Sequence, residues 1–255
     1  MREKAIDDMS SASTNHDLAS LEAVISDAGV VDALRSTSPT SFTAASEFWR
    51  TVMEGEHLSA RMKELLLLAM HASAAALHVE ALERHIDRAR RAGASDEDIV
   101  DVLISIVGLA NHALYSSVPI LEEELQAAGI DEPVRFDAEF EAAKEEFIAA
   151  RGFWNPDRDG LARLMPGYFR ALNNITTESW KNGTLSAKER EFICIGIDCT
   201  VAHEYQPGLR LHIRNALGHG ATREEILEIF QLAALFGLEG YVLAARALQA
   251  PAARE

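Results

Sequence analysis

Cysteine is scarce in this sequence, which has only Cys194 and Cys199 among its 255 residues. Both lie in an apolar stretch of a predicted helix, where a separation of five residues turns one side chain about 140° away from the other. The two thiols therefore do not face each other, and the sequence excludes a small secreted domain held together by disulfides. We expect both to be buried packing residues in a protein of a reducing compartment.

Aromatic residues and positive charge are also in short supply. Aromatics make up 7% of the chain and hydrophobic residues 48%, with much Ala and Leu, which is typical of packed helices. No strand pattern is present, so we predict an all-α fold. Lys and Arg number 24 against 40 Asp and Glu, a net charge of −16. This charge argues against nucleic acid or an anionic membrane as partner, but it does not exclude a small anionic substrate in a locally basic pocket.

We expect neither a leader nor a membrane span in this sequence. The N-terminal residues, Met1-Arg2-Glu3-Lys4 onward, lack the apolar core of a signal peptide. The longest apolar run starts at Leu65, and His71 and His78 interrupt it before it reaches the ~20 residues that a bilayer requires. We expect a soluble cytoplasmic protein.

What the chain does contain is one stretch twice, at a constant offset of 127 residues. Residues 58–103 and 185–230 align without a gap and share 13 identities in 46 positions, where chance would give about three or four. Because the offset is half of the chain length, we predict an internal duplication with repeats at 17–127 and 128–250.

The two repeats are predicted to use the same helices and caps. Between them, an amphipathic helix places Phe136, Phe140, Ala143 and Phe147 on one face. The predicted boundaries are a helix ending near Gly29, helices from Phe42 to Met53 and from Gly167 to Lys181, N-caps at Ser59, Ser95, Ser186 and Thr222, and a last helix from Arg223 to Leu248.

Each repeat presents a glutamate and, 21 residues later, a histidine: Glu64 with His85, and Glu191 with His212. On one straight helix the two side chains would be about 31 Å apart. A break at Pro207-Gly208 lets the chain fold back, so that His212 and Glu191 can meet between two helices. The recurring pair has two interpretations that the pattern leaves open: a core histidine bonded to a carboxylate, or a catalytic pair.

Three histidines of the first repeat have a regular spacing, but they do not predict a metal site. His71, His78 and His85 are seven residues apart and would share a face of one straight helix. The second repeat has no matching set, and the first helix is predicted to break near His78. We therefore expect no metal.

Three segments of the second repeat resemble the carboxymuconolactone decarboxylase/AhpD-like family. They are Ser-Ala-Lys-Glu-Arg-Glu at 186–191, Leu-Arg-Leu-His-Ile-Arg-Asn-Ala at 209–216 and Gly-Ala-Thr-Arg-Glu-Glu-Ile at 220–226. The first repeat is similar more loosely, at 58–60, 85–86 and 93–94. The resemblance implies an all-helical AhpD-like fold in two tandem repeats, self-association, and a histidine in a pocket near subunit contacts.

The AhpD branch of that family carries two cysteines, seven and four residues before the histidine. Here those positions hold His78 and Ala81 in the first repeat, and Tyr205 and Gly208 in the second. The redox pair is therefore missing from both repeats, which disfavours thiol-dependent peroxide chemistry.

The function we predict is a cofactor-independent, decarboxylase-type lyase acting on a small unsaturated carboxylated lactone or a related acid of aromatic catabolism. Histidine suits general acid/base work near neutral pH. The alternatives are an AhpD-like oxidoreductase and a non-catalytic helical binding protein. For assembly we predict a homotrimer, without nucleic acid or membrane partners. The predicted residues are His212, Glu191, His85 and Glu64 for catalysis, and Tyr205, His78 and Arg88 for substrate binding.

Overall fold

Helices account for the secondary structure throughout the described part of the chain. The computed structural model describes residues 18–130 and 138–249, and these ranges contain no strand. The predicted all-α fold is confirmed.

The helices follow one another in the same order in both repeats. In the first they are α1 Leu21–Ile25, α2 Ala28–Thr37, α3 Pro39–Met53, α4 Ala60–Ala72, α5 Val79–Arg91, α6 Asp96–Ser105, a 3₁₀ turn Val107–Asn111 and α7 His112–Ala127. In the second they are α8 Ala138–Arg151, α9 Asp157–Leu164, α10 Pro166–Asn182, α11 Ala187–Asp198, α12 Gln206–Gly218, α13 Arg223–Ala234 and α14 Phe236–Gln249.

The predicted N-caps are confirmed in both repeats. Ser59 accepts a hydrogen bond from the backbone N–H of Met62 at the start of α4. Ser186, Ser95 and Thr222 each form a reciprocal capping box with the acidic residue three positions on. These bonds satisfy backbone donors that the first turn of a helix leaves free, so each helix starts where its cap lies.

Two predicted boundaries are wrong. The first helix ends at Ile25 rather than near Gly29, because Ser26 adopts a left-handed conformation (φ 59°) and Asp27 caps a second helix that contains Gly29. The last helix is not continuous, since a tighter bond from the backbone N–H of Leu235 to the carbonyl of Leu232 separates α13 from α14. In the linker helix Phe140 and Phe147 are buried as predicted, whereas Phe136 lies outside the described residues.

The two repeats share one hydrophobic core rather than forming two. Leu65 to Leu68 of α4 are no more than 1% exposed, and they lie in the same cluster as Phe192, Ile193 and Ile195 of α11. Gly196 lets these two helices approach closely, because a Cβ there would lie 2.8 Å from Cε of Met70. Apolar burial across the repeat boundary therefore stabilises the chain as a whole.

Buried ion pairs also cross between the repeats, in a symmetric fashion. The Arg190 guanidinium donates to the Asp101 carboxylate at 2.5 and 2.6 Å. At the equivalent place Lys63 Nζ lies 3.7 Å from Glu228, which also accepts from the backbone N–H of Leu58. Each pair joins one residue of each repeat, so the repeats are related by an approximate two-fold axis.

Two equivalent stretches, Asp96–Ala127 and Arg223–Ala247, are long and apolar enough to cross a membrane by length and composition alone. In each, 39% of the most apolar window is buried inside the fold. Val102 and Ile229, at equivalent positions of the two stretches, are fully buried in the shared core. Their composition is therefore accounted for in part by core packing.

Candidate functional site

The break between helices brings each glutamate to its histidine, in both repeats. His212 Nδ1 lies 2.5 Å from Glu191 Oε2, and His85 Nδ1 lies 2.9 Å from Glu64 Oε2. The break in the second repeat lies before Pro207-Gly208, where it was predicted, because α11 ends at Asp198 and α12 starts at Gln206. Pro207 occupies the first turn of the new helix, where proline costs little. The first repeat breaks in the same way between Ala72 and Val79, and it needs no proline to do so.

Protein side chains fill the space around the first pair. The His71 ring stacks on the His85 ring, with ring centres 5.2 Å apart, and on the Phe236 ring, with ring centres 4.4 Å apart. His85 is 1% exposed. In the described part of the chain, His71 and Phe236 therefore cover the first histidine.

Arg88, a predicted substrate-binding residue, forms its hydrogen bonds with other groups of the protein. Its guanidinium donates to Glu64 Oε1 at 3.0 and 2.8 Å and also to the carbonyl of Leu18. It lies 5.5 Å from the ring centre of Trp49 and has no exposed surface. The carboxylate that Arg88 meets is thus that of Glu64, and the residue is closed to any substrate.

The second pair lies at a cavity. His212 lines a cavity of about 370 Å³, together with Cys194, Tyr205, Arg151 and Arg158. At the position of the fully buried Arg88 this repeat has Asn215, which donates to Glu191 at 3.3 Å. The shorter side chain and the different neighbours leave open space beside the second histidine, whereas the described residues cover the first.

Two arginines from the leading segment of the second repeat supply positive charge to this cavity. The Arg151 guanidinium stacks on Trp180 at 4.1 Å, and that of Arg158 stacks on Phe147 at 3.9 Å. Nitrogen atoms of both, Nε and Nη2 of Arg151 and Nε of Arg158, are buried without a hydrogen-bond partner among the described residues. Arg151 also lies 3.6 Å from Glu191, and Arg158 donates to Asn173 at 3.3 Å, so each guanidinium has a protein partner and keeps further donors that suit an anionic group.

Sequence reasoning missed both arginines because it assigned residues 131–160 only an amphipathic helix and a turn. The signal that could have found them is the alternation of Arg151 and Arg158 with Phe147, Phe153 and Trp154, since guanidiniums stack on aromatic rings.

The two histidines differ in charge. Burial lowers the pKa of His212, but Cys194 and Glu191 outweigh it and raise the pKa to about 10. Burial by itself would raise the pKa of Glu191. The hydrogen bond from His212 and the positive charges of His212 and Arg151 outweigh burial, so the pKa of Glu191 is below its usual value. For His85 burial dominates over Glu64 and lowers the pKa. His212 is therefore held as an imidazolium, whereas His85 is neutral.

Tyr205 and His78, at equivalent positions, have different surroundings. Tyr205 lines the cavity and stacks on His112, with ring centres 3.8 Å apart. His78 caps α5, its Nδ1 accepting from the backbone N–H of Ala81 at 3.1 Å. The structure thus places Tyr205 at the cavity and gives His78 a role in starting a helix.

The two cysteines, expected to be alike, also differ. Cys194 lies in the cavity wall, with its sulfur within 4.8 Å of the ligand atoms of His212 and Glu191. Burial, the first cause, and the neighbouring Asp198 raise the pKa of Cys199 to about 12. Cys194 belongs to the site, and Cys199 is an inert thiol.

The fold and the site define an all-α protein of two tandem repeats with an open His–Glu cavity in the second. Residues 39–114 and 166–250 match the model of the carboxymuconolactone decarboxylase family, so the chain belongs to that family. A solved structure from Burkholderia xenovorans LB400, described as a "putative gamma-carboxymuconolactone decarboxylase subunit", is 31% identical with a TM-score of 0.83 over 94% of this chain and 96% of that one. No curated protein matches the chain.

Proposed function

We propose that this chain is a decarboxylase-type lyase that acts on a small unsaturated carboxylated lactone, or a related acid of aromatic catabolism, through the acid/base chemistry of His212. The observation that carries the proposal is the position of His212, held by Glu191 in the wall of a cavity that also presents two incompletely bonded guanidiniums. Membership of the carboxymuconolactone decarboxylase family supports the reaction class.

Arg151 and Arg158 hold the substrate by its carboxylate. The planar guanidinium forms paired hydrogen bonds with a carboxylate, and the aromatic rings behind each arginine fix its orientation. Tyr205, on the wall beside His112, contacts the ring of the substrate.

His212 is the acid that completes the reaction. The bond between the substrate carbon and its carboxylate breaks, the electron pair passes into the conjugated carbonyl of the substrate, and carbon dioxide leaves. The His212 imidazolium then delivers a proton to that carbon and regains one from solvent. Its Nδ1 is engaged with Glu191, so Nε2 is the nitrogen that exchanges the proton.

A screen of unsaturated lactone acids and their methyl esters for release of carbon dioxide tests this proposal. We expect release from an acid and none from its ester. Arg158→Met should raise KM about ten- to hundredfold, the worth of hydrogen bonds to a charged group. Arg170→Met is the matched control, because Arg170 is a surface residue paired with Glu139. Absence of release from every acid, or an unchanged KM in Arg158→Met, contradicts the proposal.

One observation favours a second candidate, the AhpD-like thiol oxidoreductase. Cys194 lies beside His212, and a histidine can activate a thiol. The second thiol of such chemistry is missing, because Tyr205 and Gly208 stand where the redox branch has cysteines and Cys199 has a raised pKa. Reductant-dependent peroxide consumption that Cys194→Ser abolishes would support this candidate over the lyase. A non-catalytic binding protein would show neither activity.

A further inference from the structure

Three side chains that commonly ligate metals converge at one side of the cavity. His112 starts α7, Asp198 ends α11, and His203 lies in the connection from α11 to α12. His112 Nδ1 is 2.8 Å from His203 Nε2 and 3.4 Å from Asp198 Oδ1, and His203 Nε2 is 3.6 Å from the same oxygen. His112 lies 86 and 91 residues before the other two in sequence, and the fold thus brings two nitrogens and one oxygen close together.

The spacing of these three atoms fits one metal ion. A circle through them has a radius of about 1.9 Å, obtained from the three distances, and bonds from Zn²⁺ to histidine nitrogen and carboxylate oxygen are about 2.0–2.2 Å. An ion slightly above the plane of the three atoms would therefore reach all of them at a normal bond length. A fourth position would remain for water or another ligand.

Asp198 lacks the partners that a buried carboxylate requires. The residue is 1% exposed, and neither Oδ1 nor Oδ2 has a hydrogen-bond partner among the described residues. A buried, unpaired carboxylate is costly, so such a group takes up a proton, pairs with a cation or coordinates a metal.

At the equivalent place beside the first site, an arginine supplies the positive charge that the carboxylate requires. At the offset of 127 residues, Glu239 is equivalent to His112, and His71 is equivalent to Asp198. His71 lies 3.6 Å from Glu239 beside the first site. Arg84 donates to both oxygens of Glu239, at 2.7 and 2.8 Å. The residue equivalent to Arg84 in the second repeat is Leu211, which carries no charge. The second repeat, which lacks this arginine, is the one in which two histidines converge.

We propose that His112, Asp198 and His203 bind one divalent first-row transition-metal ion, with Zn²⁺ as the type that two imidazoles and a carboxylate suit. From the sequence we expected no metal. That expectation rested on His71, His78 and His85, and it did not consider His112, Asp198 and His203. The His203 side chain is 18% exposed, which gives the ion a path from solvent.

The ion would act on the cavity by fixing its wall. His112 lines the cavity and stacks on Tyr205, and the bound ion would tie the start of α7 to the connection that carries Tyr205. The proposal goes beyond the lyase function and does not depend on it, because no step at His212 uses the ion.

Titration of the purified, chelator-treated protein with Co²⁺ tests the site directly. Co²⁺ bound by nitrogen and oxygen ligands in a low-coordinate site gives visible absorption bands, and Zn²⁺ should displace it. We expect one equivalent to bind in the wild-type chain. His203→Gln and Asp198→Asn should each weaken binding at least about tenfold, whereas the control His219→Gln, an exposed histidine elsewhere, should bind as the wild type does.

A second group of side chains, Glu191, Cys194 and His212, could also hold an ion and must be distinguished. A thiolate ligand adds an intense near-ultraviolet band to Co²⁺, and Cys194→Ser would remove it. Binding lost in Cys194→Ser but retained in His203→Gln overturns the proposal, as does the absence of saturable binding in the wild type. If Asp198→Asn fails to fold, His203→Gln decides the question alone, because its partly exposed side chain is dispensable for the core.

Discussion

At the scale of single residues, Gly208 allows the second site to form. A Cβ at this position would overlap the Asp198 carboxylate and lie 2.6 Å from Cδ1 of Tyr205. We predict that Gly208→Ala lowers the free energy of unfolding by about 1–3 kcal/mol, the usual cost of overpacking. Gly237→Ala is the control, since nothing lies within 4 Å of its Cβ and alanine favours a helix. Chemical denaturation of both variants measures the difference, and a Gly208→Ala protein as stable as the wild type would refute the close approach.

The two glutamates should differ in their effect on stability. Glu64 neutralises Arg88, which has no exposed surface, so Glu64→Gln leaves a buried charge unpaired and should cost about 3–5 kcal/mol. Glu191 pairs with His212, which can give up its proton when the carboxylate is removed, whereas Arg88 cannot. Glu191→Gln should therefore cost only about 1–3 kcal/mol. Urea unfolding of the two variants compares them. Equal losses would mean that the two pairs have the same structural role.

The sequence predicts the residues that recur and misses those that do not. Glu64, His85, Glu191 and His212 stand out because duplication preserved them, and the structure brings each pair together. Arg158 has no counterpart of its kind in the first repeat, where Val31 is found, so comparison of the repeats could not reveal it. Spacing alone also could not show which of several carboxylates Arg88 would meet.

At the scale of elements, the connections α4–α5 and α11–α12 share one backbone shape. Leu77 and Glu204, at equivalent positions, have φ values of 42° and 44°, which lie in the left-handed region. This conformation costs a residue with a Cβ about 1–2 kcal/mol. Leu77 is 63% exposed, so its side chain contributes little to packing.

We therefore predict that Leu77→Gly raises the free energy of unfolding by about 0.5–1 kcal/mol, the relieved strain less the extra entropy of the unfolded chain. Ala75→Gly, in the same connection but without positive φ, is the control and should lower it. Thermal unfolding of the pair is the measurement. A loss of stability in Leu77→Gly would show that the connection is not strained there.

Helix starts that carry a side-chain cap could be predicted from sequence, but the break between α13 and α14 could not. Ser59, Ser95, Ser186 and Thr222 act through a hydrogen bond to a residue two or three positions on, so the signal is local. The break at Leu235 depends on where Phe236 packs in the other repeat, against His71. Contacts of that kind are set by the tertiary fold and leave no local pattern.

At the scale of the whole molecule, an apolar surface recurs in both repeats. Val100 and Leu227 are equivalent residues, 57% and 47% exposed, and Val107 and Phe230 are exposed as well, at 40% and 36%. Exposed apolar surface that duplication has kept is typical of an interaction site. We propose that it joins copies of this chain into the homotrimer that the family resemblance suggests.

Light scattering on a sizing column tests that assembly. We predict a mass of three times the 27.9 kDa chain, and a smaller species for the double variant Val100→Glu, Leu227→Glu. Ile148→Glu, on the linker helix and 39% exposed, is the control and should leave the mass unchanged. A wild-type chain that stays monomeric at micromolar concentration would contradict the assembly.

The shared core explains how duplication could leave one site closed and one open. Phe236 of the second repeat helps to close the site of the first, whereas Leu109 and His112 of the first repeat line the cavity of the second. Each site is thus completed by the other repeat. Substitutions in one half therefore change the access of the histidine in the other.

The most direct test of the account is turnover, on the substrate found by the screen, in folded His212→Asn and His85→Asn proteins. Loss of the general acid should lower kcat about 10²–10⁴-fold in His212→Asn, with a melting temperature that confirms the fold. His85→Asn should lose stability but, where folded, keep a kcat near that of the wild type, because His85 is sealed under His71 and Phe236. Full activity in folded His212→Asn, or a comparable loss in folded His85→Asn, would contradict the assignment of catalysis to the second repeat.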